Sequence, residues 1–175
     1  MPGAFTRPVD RQNDLDELLG LDFAARSDKA FQVLAGEGAS LMLTPEELAS
    51  PVEKCFPLTL DADPWTEGWV IEEGGRVRGF MACGYNQWNK RLVIWHFYVD
   101  RAERRKGFGR QLMDCALSAG RQWGARTAWA ETSNVNYPGV IAYQRLGFKL
   151  CGFDATLYQG TVNEGEFGLF LARYL

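Results

Sequence analysis

The chain has 175 residues, of which 46% are hydrophobic and 23% charged, and its 19 lysines and arginines against 22 aspartates and glutamates give a net charge of −3. These values are ordinary for one globular domain (1–175) and provide no general attraction to nucleic acid or to an anionic membrane. No segment has the apolar length of a signal peptide or a membrane span, so a cytoplasmic protein is expected. The four cysteines lie far apart and there is one histidine, so we expect buried reduced thiols and no metal site.

The first third of the chain predicts two helices. The segment NDLDELLGLDFAARS (13–27) shows helical spacing of its leucines and of Phe23. In TPEELAS, Thr44 is suited to cap a helix, Pro45 to its first position, and Glu47 to the completion of a capping box. This second pattern predicts a short helix from about residue 45 towards residue 54.

The middle of the chain alternates strands and helices. Two strands, WVIEE and RVRGFMACGY, flank a Gly-Gly pair that favours a tight hairpin. The next segment, LVIWHFYV (92–99), is apolar on both faces, which is typical of a central strand, and it contains the single histidine, His96. A helix to about Trp123, the strand RTAWAETS, a helix that ends at Gly147 and two closing strands follow. The sequence therefore predicts an α/β (α+β) fold with one mixed sheet.

Residues 104–110, RRKGFGR, join the predicted central strand to the following helix. The glycines at 107 and 109 let the backbone turn and approach a ligand closely, and the N–H groups at a helix start favour phosphate. With Glu103 as the opposing charge, five cations lie within ten residues: Arg101, Arg104, Arg105, Lys106 and Arg110. This junction is the first candidate for a binding site.

Three interpretations of the junction compete. It can be a solvated basic helix start without a ligand. A dinucleotide site needs a third glycine where Leu112 stands, and a P-loop needs a Gly-Lys pair followed by Ser or Thr, which is absent. The third interpretation is that Arg104, Gly107 and Gly109 form a loop that resembles the R/Q-x-x-G-x-G/A pyrophosphate loop of the GNAT acyltransferases.

Two later features resemble the same family. In ETSNVNYPGVIAYQRLGF, an Asn follows a strand and the next helix ends in Y-x-x-x-G-F, which gives Asn136, Tyr143, Gly147 and Phe148. The resemblance covers about residues 68–158. It implies the GNAT fold in one domain, with a mixed sheet of about six to seven strands splayed in a V and about four flanking helices.

A narrower resemblance is to the streptothricin acetyltransferases. It rests on the Trp88-Asn89 hairpin, on the Glu131-Thr132 strand end and on the segment GFDATLYQ, and it covers most of residues 40–175. It implies acetyl transfer to a primary amine of a small cationic acceptor, with streptothricin-type antibiotics as candidates.

The family resemblance also implies acetyl-coenzyme A as the cofactor. Backbone groups of Phe97, Tyr98 and Val99 are expected to pair with its pantetheine arm like an added strand. Asn136 is expected to contact the cofactor arm. The pyrophosphate is expected against a loop and helix start that consist of Arg104, Arg105, Lys106, Gly107, Phe108, Gly109 and Arg110.

Catalysis needs a proton donor for the leaving thiolate and a base for the protonated amine. Tyr143 matches the family's general acid. The carboxylates that relatives have on the central strand are missing, because Trp95 and His96 stand there. Glu131 matches an acidic position of the relatives and is a second candidate base.

Alternation along a strand puts His96 on the face opposite Val93 and Trp95. Bases on this strand in relatives match the Val93 or Trp95 side, so parity alone turns His96 away from the amine. A bulge would reverse that orientation. The open alternatives are a catalytic His96, a hydrogen-bonded core histidine, and Glu131 as the base or as a holder of a cationic substrate.

Other functions stay open at this point. The acceptor can instead be a protein N-terminus, a lysine or a polyamine, and a coenzyme A-binding module without catalysis is compatible with the missing carboxylates.

The expected partners are acetyl-coenzyme A and a small amine, with no nucleic acid and no membrane. A homodimer is the expected assembly, since members of the family often form one.

Overall fold

The computed structural model describes residues 3–35, 41–56, 58–60 and 63–175. Its three α-helices and one 3₁₀ turn are α1 Leu15–Leu19, the turn Arg101–Glu103, α2 Phe108–Gln122 and α3 Tyr137–Arg145. Its strands are β1 Phe5–Pro8, β2 Ala25–Ala35, β3 Leu41–Lys54, β4 Glu67–Glu73, β5 Arg76–Asn86, β6 Arg91–Val99, β7 Thr127–Ser133, β8 Lys149–Asp154 and β9 Gly168–Tyr174.

Seven of the strands form one mixed sheet in the order β1-β4-β5-β6-β7-β9-β8. The pairs β1–β4, β4–β5 and β5–β6 are antiparallel, whereas β6 and β7 are parallel. β6 is the fourth of the seven strands, which confirms that the apolar segment LVIWHFYV is central. The mixed α+β sheet predicted from the sequence is therefore confirmed.

The β4–β5 hairpin turns at two glycines, as predicted. Gly74 and Gly75 have φ of 64° and 74°, and two positive φ values in succession are the requirement of the type I′ turn that suits the twist of a hairpin. Directly after the turn, Ile71 pairs with Gly79 but Glu72 pairs with Val77. β5 therefore has a bulge at the residue between them, which brings Val77 and Phe80 into the same core cluster.

The helix predicted from residue 45 towards residue 54 is wrong, because this segment is the strand β3, paired antiparallel with β2. Thr44 does not cap a helix, and its buried Oγ1 has no hydrogen-bond partner among the described residues. Pro45 lies opposite Phe31 in the two-stranded sheet, where each strand has an open edge that accommodates a residue without an N–H. A second proline at position 51 disfavours the helical region for the residue before it, so the pairing energy of β2 and β3 outweighs a weak local signal.

The predicted first helix exists but is short. It begins after Asp14 and ends at Gly20, so Phe23 lies beyond it and stacks on Tyr98 with ring centroids 4.5 Å apart. Leu18 on this helix is buried in the cluster that includes Trp65 and Phe80. Because five residues are too few to hold a helix in water, this packing stabilises it.

The chain forms two compact units. The first comprises Met1–Phe23, Phe56–Ala130 and Ala172–Leu175, and it contains α1, α2 and the strands from β4 to β6. The second comprises Ala24–Cys55 and Glu131–Leu171, and it contains β2, β3, α3 and β8. No helix within the described residues is long and apolar enough to cross a membrane.

The four cysteines are free thiols, but only part of the expected burial is found. Cys83 is buried, and burial raises its pKa to about 12. Cys55 and Cys151 are exposed, which corrects the prediction that all four are buried. Strand alternation places residues of one strand on both faces, so a cysteine's residue type alone does not fix its burial.

Candidate active site

The loop between β6 and α2 belongs to the first unit and has positive φ values at two of its residues. Asp100 caps the 3₁₀ turn by accepting a hydrogen bond from the N–H of Ala102 at 2.9 Å. Arg105, a residue with a side chain, has φ of 69°, and Gly107 has φ of 90° at the N-cap of α2. Positive φ at a non-glycine residue is uncommon and often accompanies binding sites.

The two glycines of the loop serve different physical needs. Gly107 adopts the left-handed region, and a Cβ added there would meet no atom within 4 Å, so its conformation alone requires glycine. Gly109 has an ordinary φ, but an added Cβ would lie 3.2 Å from Cζ of Phe97. The first glycine therefore permits the turn, and the second lets α2 approach β6.

Three of the five clustered cations are engaged within the first unit. Arg101 Nε lies 3.2 Å from Asp22 Oδ2, Arg104 Nε donates to the carbonyl of Val99 at 3.2 Å, and Lys106 pairs with Glu103. The hydrogen bond to Glu103 raises the pKa of Lys106.

The remaining two cations are Arg105 and Arg110. Both are exposed, and within the described part of the chain neither guanidinium has an ion pair or a hydrogen bond. They are therefore the cations best placed to meet a phosphate.

β6 contains a bulge that sequence parity could not reveal. Ala82 of β5 lies opposite His96, but the next residue, Cys83, lies opposite Ile94, so Trp95 is the extra residue. Leu92 and Phe97 both face α2, although an undistorted strand would place an even and an odd position on opposite faces. The side chain of Leu92 lies against Gly120 of α2, and that of Phe97 lies against Gly109. The bulge inverts the alternation of side chains beyond position 95.

His96 consequently shares a face with Val93. His96 lies opposite Ala82 and Val93 lies opposite Gly84, and the two β5 residues are two positions apart, so they point to the same side of the sheet. The expectation from parity that His96 faces away from Val93 is therefore wrong, and the bulge is the physical reason.

The His96 ring is buried, with 2% of its surface exposed. It stacks on Phe80 with ring centroids 5.8 Å apart, and Nδ1 lies 3.5 Å from the hydroxyl of Tyr98. Nε2 lies 3.1 Å from Asp63 Oδ2 without the alignment of a hydrogen bond and has no aligned partner elsewhere in the described residues. Burial lowers the pKa of His96, an effect that the Asp63 charge opposes, so the ring is neutral near pH ~7.

A cavity of about 250 Å³ lies beside the bulge of β6, in the first unit. Trp95 provides aromatic surface, and Gly84 leaves room for its indole, since an added Cβ would lie 3.2 Å from Trp95 Nε1. Pro64 and Val93, the neighbours of Asp63 and of the bulge, are also in the lining, which consists of Pro64, Gly84, Tyr85, Asn86, Gln87, Val93 and Trp95.

The second unit holds the other predicted site residues. Tyr143 is buried on α3 and its ring contacts Phe148 edge-on at 5.3 Å. Asn136 caps α3, because its Oδ1 accepts from Gly139 N at 3.2 Å and its Nδ2 donates to Thr132 Oγ1 at 2.9 Å. Capping accounts for this asparagine structurally, and its contact with the cofactor stays a prediction.

Glu131 is one member of a buried polar cluster in the second unit. The hydroxyl of Tyr158 donates to Glu131 Oε1, and burial raises the pKa of Glu131 while that hydrogen bond and Lys54 oppose the rise. The Lys54 side chain is 6% exposed, and its Nζ donates to Asn163 Oδ1 and Glu166 Oε2, each at 2.6 Å. Glu131 therefore stands within a network of partners and is not a solitary carboxylate.

Sequence reasoning missed Lys54, Asp63 and Glu166. Asp63 precedes His96 by more than thirty positions, and a single acidic residue in a turn-rich segment has no local pattern that links it to a histidine. Asp154, the aspartate of the segment GFDATLYQ, is half-buried and accepts hydrogen bonds from Thr156 N and Oγ1 at 2.8 and 2.7 Å. These bonds close a local turn and lower the pKa of Asp154.

The loop before α2 fits the pyrophosphate of coenzyme A. The first N–H groups of a long helix, the left-handed Gly107 and the two exposed guanidiniums of Arg105 and Arg110 supply donors and positive charge at one place. β6, whose register with β7 runs from Arg91 to Ile94, continues to this loop through Phe97, Tyr98 and Val99. This donor set suits a long ligand with one anionic end.

Comparison with known proteins also indicates an acetyltransferase. The model of the acetyltransferase (GNAT) family matches residues 39–148. A streptothricin acetyltransferase of Streptomyces lavendulae is 36% identical over 173 residues, which cover 93% of this chain and 90% of the relative.

Two solved structures are similar over nearly the whole chain. A nourseothricin acetyltransferase has a TM-score of 0.88 and 33% identity, with 99% of each chain covered. A candidate streptothricin acetyltransferase from Bacillus anthracis in complex with acetyl coenzyme A has a TM-score of 0.84 and 22% identity, with 99% of this chain and 100% of that chain covered. The chain therefore belongs to the acetyltransferase (GNAT) family and is an acetyl-coenzyme A-dependent N-acetyltransferase.

Proposed function

We propose that the enzyme acetylates a primary amine of a small cationic acceptor, and that streptothricin-type antibiotics are its acceptor class. The observation that carries the proposal is the 36% identity to a streptothricin acetyltransferase over 93% of the chain. This likeness extends beyond residues 39–148, the part that the family model matches. Acceptor pockets are built from segments that differ among family members, so likeness outside the shared part supports a shared acceptor class.

The cavity beside the bulge supports a cationic acceptor. Its volume of about 250 Å³ is slightly below the usual range of small-molecule sites and suits one arm of an acceptor more than a folded peptide. Trp95 offers an aromatic side chain, and aromatic faces attract ammonium groups. Asn86 and Gln87 add polar groups that can orient the amine.

Bound acetyl-coenzyme A supplies a thioester whose carbonyl carbon accepts the lone pair of the amine. The backbone of Phe97, Tyr98 and Val99 holds the pantetheine arm, and the N–H groups from Arg105 to Arg110 hold the pyrophosphate. Arg105 and Arg110 are the side chains that reach phosphate oxygens, since Arg101, Arg104 and Lys106 are engaged elsewhere.

His96 is the general base of the proposed reaction. An amine with a pKa near ~10 is almost wholly protonated at pH ~7, and freeing its lone pair costs about 4 kcal/mol. A neutral imidazole can accept that proton, and burial keeps His96 neutral. The bulge at Trp95 supports this role because it turns His96 to the face of Val93.

Glu131 has a supporting role in this proposal. Its carboxylate already accepts the Tyr158 hydroxyl, and its neighbour Lys54 pairs with Glu166. These partners favour a fixed charge that attracts a cationic acceptor over a base that exchanges protons at each turnover.

Tyr143 is the general acid for the leaving thiolate. Tyr143 lies on α3. The side-chain amide of Asn136 caps the first turn of this helix and so fixes its start. The T-shaped contact with Phe148 limits the rotation of the ring. A fixed phenol is suited to donate a proton at one position.

The proposal extends to the setting of the enzyme. Four free thiols are typical of a reducing compartment, which supports a cytoplasmic location. The homodimer and the single domain over residues 1–175 also stay predictions. Light scattering of the purified protein measures its oligomeric state, and limited proteolysis tests whether the chain is one domain.

The acceptor class is tested with the purified full chain, acetyl-coenzyme A and a panel of amines. The panel contains streptothricin, polyamines, a lysine peptide and a peptide with a free N-terminus. Acetylated products are identified by mass spectrometry. The proposal expects one acetyl group on streptothricin and little product elsewhere. Acetylation of a peptide or a polyamine but not of streptothricin would show that the proposed acceptor class is wrong. Acetylation of none of the amines would contradict the proposed function.

A further inference from the structure

The hydroxyl of Tyr98, the ring of His96 and the carboxylate of Asp63 lie in sequence within the first unit. Tyr98 Oη is 3.5 Å from Nδ1 of the ring, and Asp63 Oδ2 is 3.1 Å from Nε2. Tyr98 and His96 share a face of β6 because they lie two positions apart beyond the bulge. Asp63 comes from the segment before β4, so the fold brings it to the ring from outside the strand.

The burial of His96 raises a problem for its role as base. With 2% of its surface exposed, the ring does not meet an amine in open solvent directly. Tyr98 is only half-buried, and Phe23 stacks on one side of its ring at 4.5 Å, which holds the phenol in place. The phenol, which contacts Nδ1 at 3.5 Å, is therefore a candidate group to connect the buried ring with an amine.

The charge of the Asp63 carboxylate favours one tautomer of the His96 ring. Asp63 Oδ2 lies 3.1 Å from Nε2 without the alignment of a hydrogen bond, but its negative charge favours a proton on this nitrogen over Nδ1. Nε2 then bears the hydrogen, and the lone pair of Nδ1 points to the Tyr98 hydroxyl. Phe80 stacks on one face of the ring and leaves its two nitrogens to their in-plane neighbours.

We propose that Tyr98, His96 and Asp63 form a proton relay, in which Tyr98 passes the proton of the acceptor ammonium to His96 and Asp63 is the positioning residue that fixes the His96 tautomer. The inference rests on the proposed function and adds two side chains to it. The ammonium gives a proton to the Tyr98 oxygen while the phenol gives its own proton to Nδ1. The amine becomes neutral, the phenol is unchanged, and the imidazole becomes an imidazolium that the Asp63 carboxylate stabilises. No oxidant, reductant or further reactant is needed.

The relay predicts a pH dependence that involves few groups. Asp63 is the charged group that acts on the ring, and the Tyr98 phenol is the other titratable group in contact with it. Phe80, which stacks on the ring, is apolar, and so is Ala82 opposite it on β5. Because the Asp63 charge raises the pKa of His96, Asp63→Asn moves the acid limb of the kcat/KM profile to lower pH and lowers its plateau.

The first arm of the test is nitrogen NMR of the tag-free full chain, since His96 is its only histidine and the spectrum needs no acceptor. The relay expects an imidazole protonated on Nε2 at neutral pH. It expects a lower titration midpoint together with a mixed tautomer in Asp63→Asn, partial recovery in Asp63→Glu, and no change in Asp114→Asn, which removes an exposed charge on α2. A ring protonated on Nδ1, or an unchanged titration in Asp63→Asn, would overturn the inference.

The second arm is steady-state kinetics with streptothricin and acetyl-coenzyme A. Tyr98→Phe and His96→Gln are each expected to lose about a hundredfold in kcat, and the double variant about the same, because the two groups act in one proton transfer. Tyr174→Phe, at an exposed tyrosine, keeps its activity. Losses that multiply in the double variant, or an active Tyr98→Phe, would overturn the relay. If His96→Gln loses its thermal transition, Tyr98→Phe alone decides this arm, since it keeps the ring.

The two arms separate the inference from the function on which it rests. An active wild type with normal Asp63→Asn and Tyr98→Phe variants overturns the relay and leaves the acetyltransferase. A wild type that turns over none of the amines overturns the proposed acceptor chemistry and, with it, the relay, whatever the tautomer seen by NMR.

Discussion

Val93 and His96 lie on the same face of β6 although three positions separate them. An undistorted strand places such residues on opposite faces, and the extra residue Trp95 inverts the order. The inversion brings the imidazole next to Asp63 and to the face that includes the cavity lining residue Val93. One inserted residue thus decides whether the only histidine of the chain can serve in catalysis.

Glycine at position 107 is expected to be required for cofactor binding. Gly107→Ala forces a side chain into φ of 90°, which costs roughly 1–2 kcal/mol and disturbs the start of α2. The KM for acetyl-coenzyme A is expected to rise about fivefold or more as the loop N–H groups lose their alignment. Gly124→Ala is the matched control, because its φ of 79° gives a similar strain at the other end of α2. Equal KM changes in the two variants would contradict a binding role for the loop.

The two exposed arginines of the loop are expected to bind the anionic end of the cofactor. Arg105→Gln and Arg110→Gln each remove a charge-assisted hydrogen bond, and we expect the Kd for acetyl-coenzyme A to rise about three- to tenfold, with a weaker dependence on salt. Arg121→Gln removes an exposed cation from the last turn of the same helix and serves as the control. Calorimetric titration at two salt concentrations measures the effect, and unchanged affinity in both loop variants would exclude these side chains.

Tyr143→Phe is expected to lower turnover far more than cofactor binding. Loss of a general acid lowers kcat by about a hundredfold, while the ring contact with Phe148 stays intact. Tyr137→Phe, on the same helix with its ring against Phe31, is the control for the loss of a hydroxyl. Single-turnover kinetics separate chemistry from binding. Full turnover in Tyr143→Phe would remove the assignment.

His96 is expected to make folding stability depend on pH. The pKa of the folded ring is lowered below the ordinary 6.5 by burial, so the unfolded chain binds the proton more readily. The stabilising contribution is fully present above about pH 6.5 and is lost as pH falls towards the folded pKa. The free energy of unfolding of wild type relative to His96→Gln is measured by urea unfolding at about pH 7.5 and about pH 5.5. The advantage of wild type shrinks at the lower pH, and a constant difference would show that the ring is not buried in its neutral form.

Features read from periodic patterns and short motifs could be predicted from the sequence. The hairpin at Gly74 and Gly75, the central strand β6 and the helix that starts at Gly107 follow from turn chemistry and apolar spacing, which act over a few residues. The segment around Pro45 could not be predicted, because its partner β2 lies earlier in the chain and the pairing outweighs a local capping pattern.

The details of the candidate site depend on contacts that the sequence does not encode locally. The resemblance to a known family predicted the loop, Tyr143 and Glu131 as site residues and allowed for a bulge on this strand, but it did not give the position of the bulge at Trp95. The approach of Asp63 to His96 needs both the bulge and the fold of a distant segment. The Lys54–Glu166 pair likewise joins residues more than a hundred positions apart.

The most direct test of the account is kcat/KM of the purified enzyme for streptothricin with acetyl-coenzyme A, followed by thiol release at neutral pH. The account predicts a value of about 10⁴ M⁻¹s⁻¹ or higher, typical of an enzyme with its own substrate, and values at least about a hundredfold lower for polyamines and peptides. Thiol release that does not depend on streptothricin, or that is faster with a peptide or polyamine, would contradict it.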